Sequence, residues 1–298
     1  LHKAFYSGHN DHNYFEIAHT VKRLYDMAGG NILGLRLYNF VDNHDVERIY
    51  TKLNNKAHMI PVHILLYTLP GVPSLYYGSE FGIEGRKEKS SDASLRPALS
   101  LDDYKNAINE NVITKVIAAL GKVRQDVKAL SYGGYRELSL TTRQYAFSRK
   151  LENENVIIAV NNDDNDAWFN LPAEGINEYV GVLSGEKLKT ENGSLNLCIR
   201  ANYGDIFLPL DSTANEYVPI SYTEVEKEIK KEEAKKEETK LPEHVRPGVA
   251  YEEMTIEELQ LSIINKMSMN GPVTDEMRRT VMENVYHDSL VNWVKSFR

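Results

Sequence analysis

Around Tyr132 the texture of the chain changes. Before that point, stretches with helical apolar periods alternate with short extended runs. After it, apolar residues come in short runs punctuated by turn formers. Residues 13–27 (NYFEIAHTVKRLYDM) put Phe15, Ile17, Ala18, Val21, Leu24 and Tyr25 on one helical face, ended by Gly29 and Gly30. Residues 35–41 (LRLYNFV) read as a buried strand with Gly34 in front. A second helix is expected over 56–68, bent early by Pro61, then a turn at Pro70, Gly71 and Pro73 and a short strand over 74–77. A third helix is expected over 103–130, with Ile108, Val112, Val116, Ile117, Leu120 and Val123 apolar. Helix, strand, helix, strand, helix is the order of an α/β fold with a parallel sheet and crossover helices.

Beyond residue 131 the runs 135–140, 144–149, 156–160, 167–171, 179–183, 195–199 and 205–210 are β-rich and separated by turn residues such as Asn192 and Gly193. They predict an antiparallel β-sandwich over 131–211, with no catalytic constellation in it. Residues 221–240 (SYTEVEKEIKKEEAKKEETK) carry dense charge of both signs and read as a solvated linker, bounded here as 212–245. Residues 246–298 look folded again. Thr255 and Glu258 form a capping box ahead of Ile256, Leu259, Ile263 and Met267. After Gly271 and Pro272, Thr274 or Asp275 caps a second helix with Met277, Val281, Val285, Leu290 and Val294. Such an αα-hairpin is small for an independent core, so it is expected to dock on the main body or pair with another copy. His287 and Trp293 are read as packing residues.

Chemistry-bearing residues concentrate at 40–45 (FVDNHD), with Arg48 just beyond. Two carboxylates, an amide and an imidazole at the end of a buried strand occupy the place where α/β folds keep their active groups. The same residues also suit an N-cap for the following helix, and spacing alone leaves both readings open. His9, His12, Glu16 and His19 would share one side of a continuous helix, a pattern that invites zinc. Gly8 and Asn10 make a poor helix start, however, which puts His9 and His12 in a loop.

The net charge of −8 argues against nucleic acid or an anionic membrane as a partner. One cysteine, Cys198, rules out an internal disulfide framework and a multi-cysteine zinc site. No apolar run reaches the roughly 18 residues of a membrane span. The chain begins at Leu1 without a signal-like segment; the true N-terminus is expected upstream, and location is left open with the cytoplasm favoured.

The segment FVDNHDVER resembles the last of the short regions shared by the alpha-amylase family, glycoside hydrolase family 13. GVPSLYYGSEFGIEG is similar to the family's eighth-strand signature, the Asp92 and Arg96 pair follows, and RQYAFSRK with NVIIAVNN looks like its C-terminal β-domain. The resemblance covers about residues 1–210. It implies an incomplete (β/α)8 (TIM) barrel over 1–130, holding strands seven and eight, then the β-domain. It also implies retaining chemistry on α-glucosidic bonds of starch-like or malto-oligosaccharides, by way of a covalent glycosyl-enzyme. Asp45 matches the family's transition-state-stabilising carboxylate, His44 a ligand of the same glucose, and Asp92 with Arg96 a site for a more distant glucose. For Asp92 and Arg96 a mutual surface ion pair is the alternative. The family's nucleophile and acid/base belong to earlier strands and have no match here, so the chain reads as the C-terminal part of a longer enzyme, inactive alone. No cofactor is implied. The competing reading is a truncated, non-catalytic carbohydrate-binding or interaction protein.

Overall fold

The computed structural model describes residues 1–27, 37–89, 91–211, 217–225, 227, 249–269, 274–284 and 286–297. Gly29, Gly30, Gly34, Leu35, Gly271, Pro272, Val285 and most of the charged linker lie outside these residues. The chain divides into two compact units, Leu1–Ile229 and Lys230–Arg298.

The first unit opens with α1 (His2–Asn10) and α2 (Tyr14–Met27). α2 buries Tyr14, Ile17, Ala18 and Val21, whereas Phe15, expected on the same face, is 40% exposed; the Tyr25 side chain lies outside the described residues. The loop expected at His9 is instead the last turn of α1. Burial of Ala4, Phe5 and His9 against the core overrides the poor local propensity of Gly8 and Asn10.

Next come β1 (Tyr38–Phe40), α3 (Ile49–Lys52), α4 (Met59–Thr68) and β2 (Val72–Ser74). β1 and β2 pair in parallel, with Tyr38 opposite Val72 and Phe40 opposite Ser74. The second strand therefore starts earlier than the sequence pattern suggested. Tyr38 is 68% exposed, so β1 is half-buried rather than buried.

α4 explains how the unit is held together. It is apolar on every side, and all its residues except Tyr67 are buried, as expected of a helix packed on all faces. It lies against α6 (Val112–Asp126) on one side and strand β10 (Tyr203–Pro209) on another. A short 3-10 turn, Lys56–His58, leads into it, and Pro61 falls in its first turn, where no backbone N–H is required.

The single helix expected over 103–130 is divided into α5 (Ala107–Glu110), α6 and α7 (Lys128–Tyr132). The break between α5 and α6 is chemical. Asn111 is extended, and its side-chain oxygen accepts from Thr114 N at 3.1 Å, starting a new helix. Ile108, left on the short α5, is half-exposed.

The β-rich part adds β3 (Gly134–Leu140), β4 (Gln144–Leu151), β5 (Glu154–Asn161), β6 (Ala167–Pro172), β7 (Glu178–Gly181), β8 (Lys187–Glu191) and β9 (Ser194–Ile199) before β10. In place of the two facing sheets of a sandwich, these strands form one eight-stranded antiparallel order, β3-β4-β5-β10-β7-β8-β9-β6. Its end strands β3 and β6 approach each other, so the sheet nearly closes on itself. β8 (KLKTE) gives no strand signal in the sequence because its outward positions, Lys187, Lys189 and Glu191, are charged. Asn192 and Gly193, both at positive φ, make the tight turn that pairs it with β9. One continuous apolar core runs from Phe5 and Ile17 through α4 and α6 to Phe147, Ile158 and Phe207.

The second unit contains α8 (Ile256–Met269), α9 (Asp275–Glu283) and α10 (His287–Ser296), three helices rather than a hairpin. The capping box is reciprocal: Thr255 N donates to Glu258 Oε2 at 2.8 Å and Glu258 N donates to Thr255 Oγ1 at 3.2 Å. Thr274 caps α9 through Met277 N. At the end of α9 the chain turns extended at Asn284, and the buried Gln260 amide donates to the Val281, Met282 and Asn284 carbonyls. Leu259, Ile263, Val281, Leu290 and Val294 form a core of the unit's own, against which Trp293 packs. The His287 ring bonds to Met254 O at 2.9 Å. Among the described residues no helix is long and apolar enough to cross a membrane.

Candidate functional site

The segment after β1 assigns its four polar residues to different tasks. Asp42 is buried. It accepts from Ile49 N, the first residue of α3, at 2.8 Å, and from Ser79 Oγ at 2.8–2.9 Å. Burial raises its carboxyl above the usual range, an effect opposed by these hydrogen bonds and by Arg48. Asn43 accepts from Asp45 N at 2.8 Å and so closes an Asx turn. That turn leaves His44 and Asp45 projecting into solvent, their side chains 56% and 59% exposed. The helix-cap reading therefore holds for Asp42, while His44 and Asp45 are free for other work.

Arg48 fixes the frame. Its fully buried guanidinium donates to Tyr77 O at 2.6 Å, Leu95 O at 3.0 Å and Ser79 Oγ at 3.4 Å. It also sits 4.1 Å from the centre of the Tyr76 ring. Its backbone N–H donates to Gly85 O at 3.0 Å. At Gly85 a side chain has no room, since a Cβ would stand 2.6 Å from Ser94 O and 2.9 Å from Arg48 Cγ. One buried cation thus ties the end of β1 to the segments that carry Tyr76, Ser94 and Arg96.

With that frame in place, residues far apart in sequence meet. Arg96 Nη2 lies 3.2 Å from Asp45 Oδ1 and 3.4 Å from Asp92 Oδ2, and Arg96 Nε donates to His44 O at 3.2 Å. His44 Nε2 is 3.3 Å from Asp45 Oδ2. All four residues singled out from the sequence form one cluster, with Arg96 as its hub. The surface ion pair considered for Asp92 and Arg96 is also present, as part of that cluster.

Sequence reasoning gave no role to Tyr76, Lys87 or Arg48. The Tyr76 ring is 6.5 Å from the His44 ring, centre to centre, and Lys87 Nζ donates to Asp45 O at 2.9 Å. Only the aromatic pair in the YYG run hinted at this flank.

The histidines near the N-terminus do not gather as a metal site. His9 Nδ1 bonds to Phe5 O at 2.6 Å, and His12 Nδ1 bonds to Asn162 O at 2.5 Å. Among the described residues no group of three or more His, Cys, Asp or Glu is disposed to hold a metal ion.

Two family comparisons bear on these segments. Residues 9–129 match the family described as alpha amylase, catalytic domain, and residues 133–207 match the alpha-amylase C-terminal domain. A cyclomaltodextrin glucanotransferase of Niallia circulans is 28% identical over 164 residues, 53% of this chain and 22% of the relative. This chain therefore spans about a fifth of that protein's length. A cyclomaltodextrin glucanotransferase with a three-domain ABC distribution superposes at a TM-score of 0.59 and 20% identity, over 70% of this chain and 43% of that one. AmyP, solved in complex with maltose, superposes at a TM-score of 0.51 with 18% identity, over 65% of this chain and 44% of its own. At these identities the superpositions bear on the fold alone. Through residues 9–129 and 133–207, the chain belongs to the alpha-amylase family, glycoside hydrolase family 13.

Proposed function

We propose that this chain carries the sugar-holding part of an alpha-amylase-type retaining glycosidase site acting on α-glucosidic bonds of malto-oligosaccharides. In this reading 1–130 is the barrel portion with strands seven and eight, 131–211 the C-terminal β-domain, 212–245 a linker and 246–298 an appended helical module. Asp45 is the carboxylate that grips sugar hydroxyls as the ring flattens toward the oxocarbenium-like transition state. His44 bonds the same glucose, and Asp92 with Arg96 holds the next one. The observation that carries this is the cluster itself: one guanidinium bridges two carboxylates beside an exposed imidazole. Charged acceptors make strong hydrogen bonds to hydroxyls, and a bond that tightens only as the ring distorts lowers the barrier. The maltose bound by AmyP and the glucan-transfer name of the Niallia relative support the same substrate class.

Retaining hydrolysis also needs a nucleophilic carboxylate and a protonated acid. The resemblance implies that these two groups belong to earlier barrel strands, for which this chain offers no match. The reading therefore assigns those two roles to residues outside this chain.

Maltotriose titrated into the protein, followed by the His44 imidazole resonances, tests the assignment. Saturable shifts that disappear in the Asp45→Asn variant are expected. Resonances that stay fixed up to the solubility of the sugar would overturn it.

A further inference from the structure

A second surface, on the β-rich part, has the chemistry of a saccharide site. Trp168, on edge strand β6, is 80% exposed although its chain neighbours Ala167 and Phe169 are buried. The two-residue strand period turns the indole outward on the same face as Asn170, whose amide donates to Asn196 Oδ1 at 2.6 Å. Beside the indole runs a groove of about 260 Å³, where β6 meets β3, lined by Thr141, Gln144, Asp163, Asn165 and Asp166 among others. Both acids already have cationic partners: Asp163 with Arg143 at 3.3 Å, Asp166 with Arg200 at 2.7 Å. The groove is therefore rich in donors and acceptors yet balanced in charge. Such a lining complements neither an anion nor a cation. It fits a neutral polyhydroxylated ligand whose apolar ring face rests on an indole.

We propose that Trp168 and this groove bind a neutral oligosaccharide, separately from the Asp45 cluster. Taking the ligand to be an α-glucan rests on the function proposed above. The stacking face is Trp168; Thr141 Oγ1 donates to Gln144 Oε1, Gln144 Nε2 to Asn161 Oδ1 and Asn165 Nδ2 to Asp163 Oδ1, and the second N–H of each of the two amides bonds the ring hydroxyls. The role is to hold a long glucan on the protein, with no chemical step at the groove.

The test is a titration of the full chain with maltoheptaose, reading the indole N–H resonances of its two tryptophans, Trp168 and Trp293. A saturable shift of the Trp168 signal is expected, unchanged in Asp45→Asn; in that Asp45→Asn background, adding Trp168→Ala should weaken maltoheptaose affinity, read by calorimetry, about tenfold. Asn165→Ala, which leaves the indole in place, is expected to weaken it as well. An unmoved Trp168 signal, or a shift lost in Asp45→Asn, would overturn the proposal. So would equal saturation by a charged peptide of similar length. The two assignments fail separately: His44 moving without Trp168 removes only the groove, and Trp168 moving without His44 removes only the role of the Asp45 cluster.

Discussion

Within 40–48, neighbouring residues of similar chemistry do unlike work because their burial differs. Asp42 and Arg48 are inside and hold the backbone, while His44 and Asp45 are outside. Arg48→Ala strips hydrogen bonds from the Tyr77 and Leu95 carbonyls at once and is expected to cost roughly 3 kcal/mol. A clear fall in the urea midpoint measures it; an unchanged midpoint would contradict the framing role. Arg96→Ala removes exposed pairs, so stability should change by under about 1 kcal/mol. The same variant should weaken maltotriose binding at His44, which separates a binding role from a structural one. His44 and Asp45 could be named in advance because the short FVDNHDVER motif carries them, and Asp92 with Arg96 because that pair follows in the order the resemblance implies. Arg48, Tyr76 and Lys87 could not, because their partners lie about 30 to 50 residues away and meet only in the folded chain.

At the scale of elements, α4 and the capping box were legible because each is a local pattern: an apolar run with no polar side, and Thr255 three residues before Glu258. Residues 103–130 read as one helix in the sequence because the apolar period continues through Asn111, yet the Asn111 cap outweighs it and starts α6 afresh. Asn111→Ala should cost about 1 kcal/mol, read as a lower melting temperature. Loss of no stability would mean that packing alone starts α6. The segment 56–68 also carries two buried imidazoles, His58 and His63, both lowered by burial to about 4. Each is neutral in the folded chain and takes a proton near pH 6.5 when unfolded. Their stabilisation is complete above about pH 6.5 and is lost as pH falls from there toward 4, on the order of 3 kcal/mol for each. The urea midpoint should therefore drop between about pH 7.5 and pH 5, less steeply in His63→Gln. Equal slopes in the two proteins would exclude His63 as a source.

At the scale of the whole molecule, the chain is two units with separate cores. Leu290→Ala should cost 2–5 kcal/mol within the helical unit. Hydrogen exchange should then rise in 256–296 and stay unchanged in the core of α4 and β5; a rise in both would mean one cooperative body. In the first unit His44, Asp45, Asp92 and Arg96 meet in one cluster; the proposed function makes it a sugar-holding site whose chemistry is completed by carboxylates this chain does not supply. Reducing-sugar release from maltoheptaose by the purified chain tests this most directly. No release above that of the Asp45→Asn variant is expected. Sustained release that Asp45→Asn abolishes would contradict it.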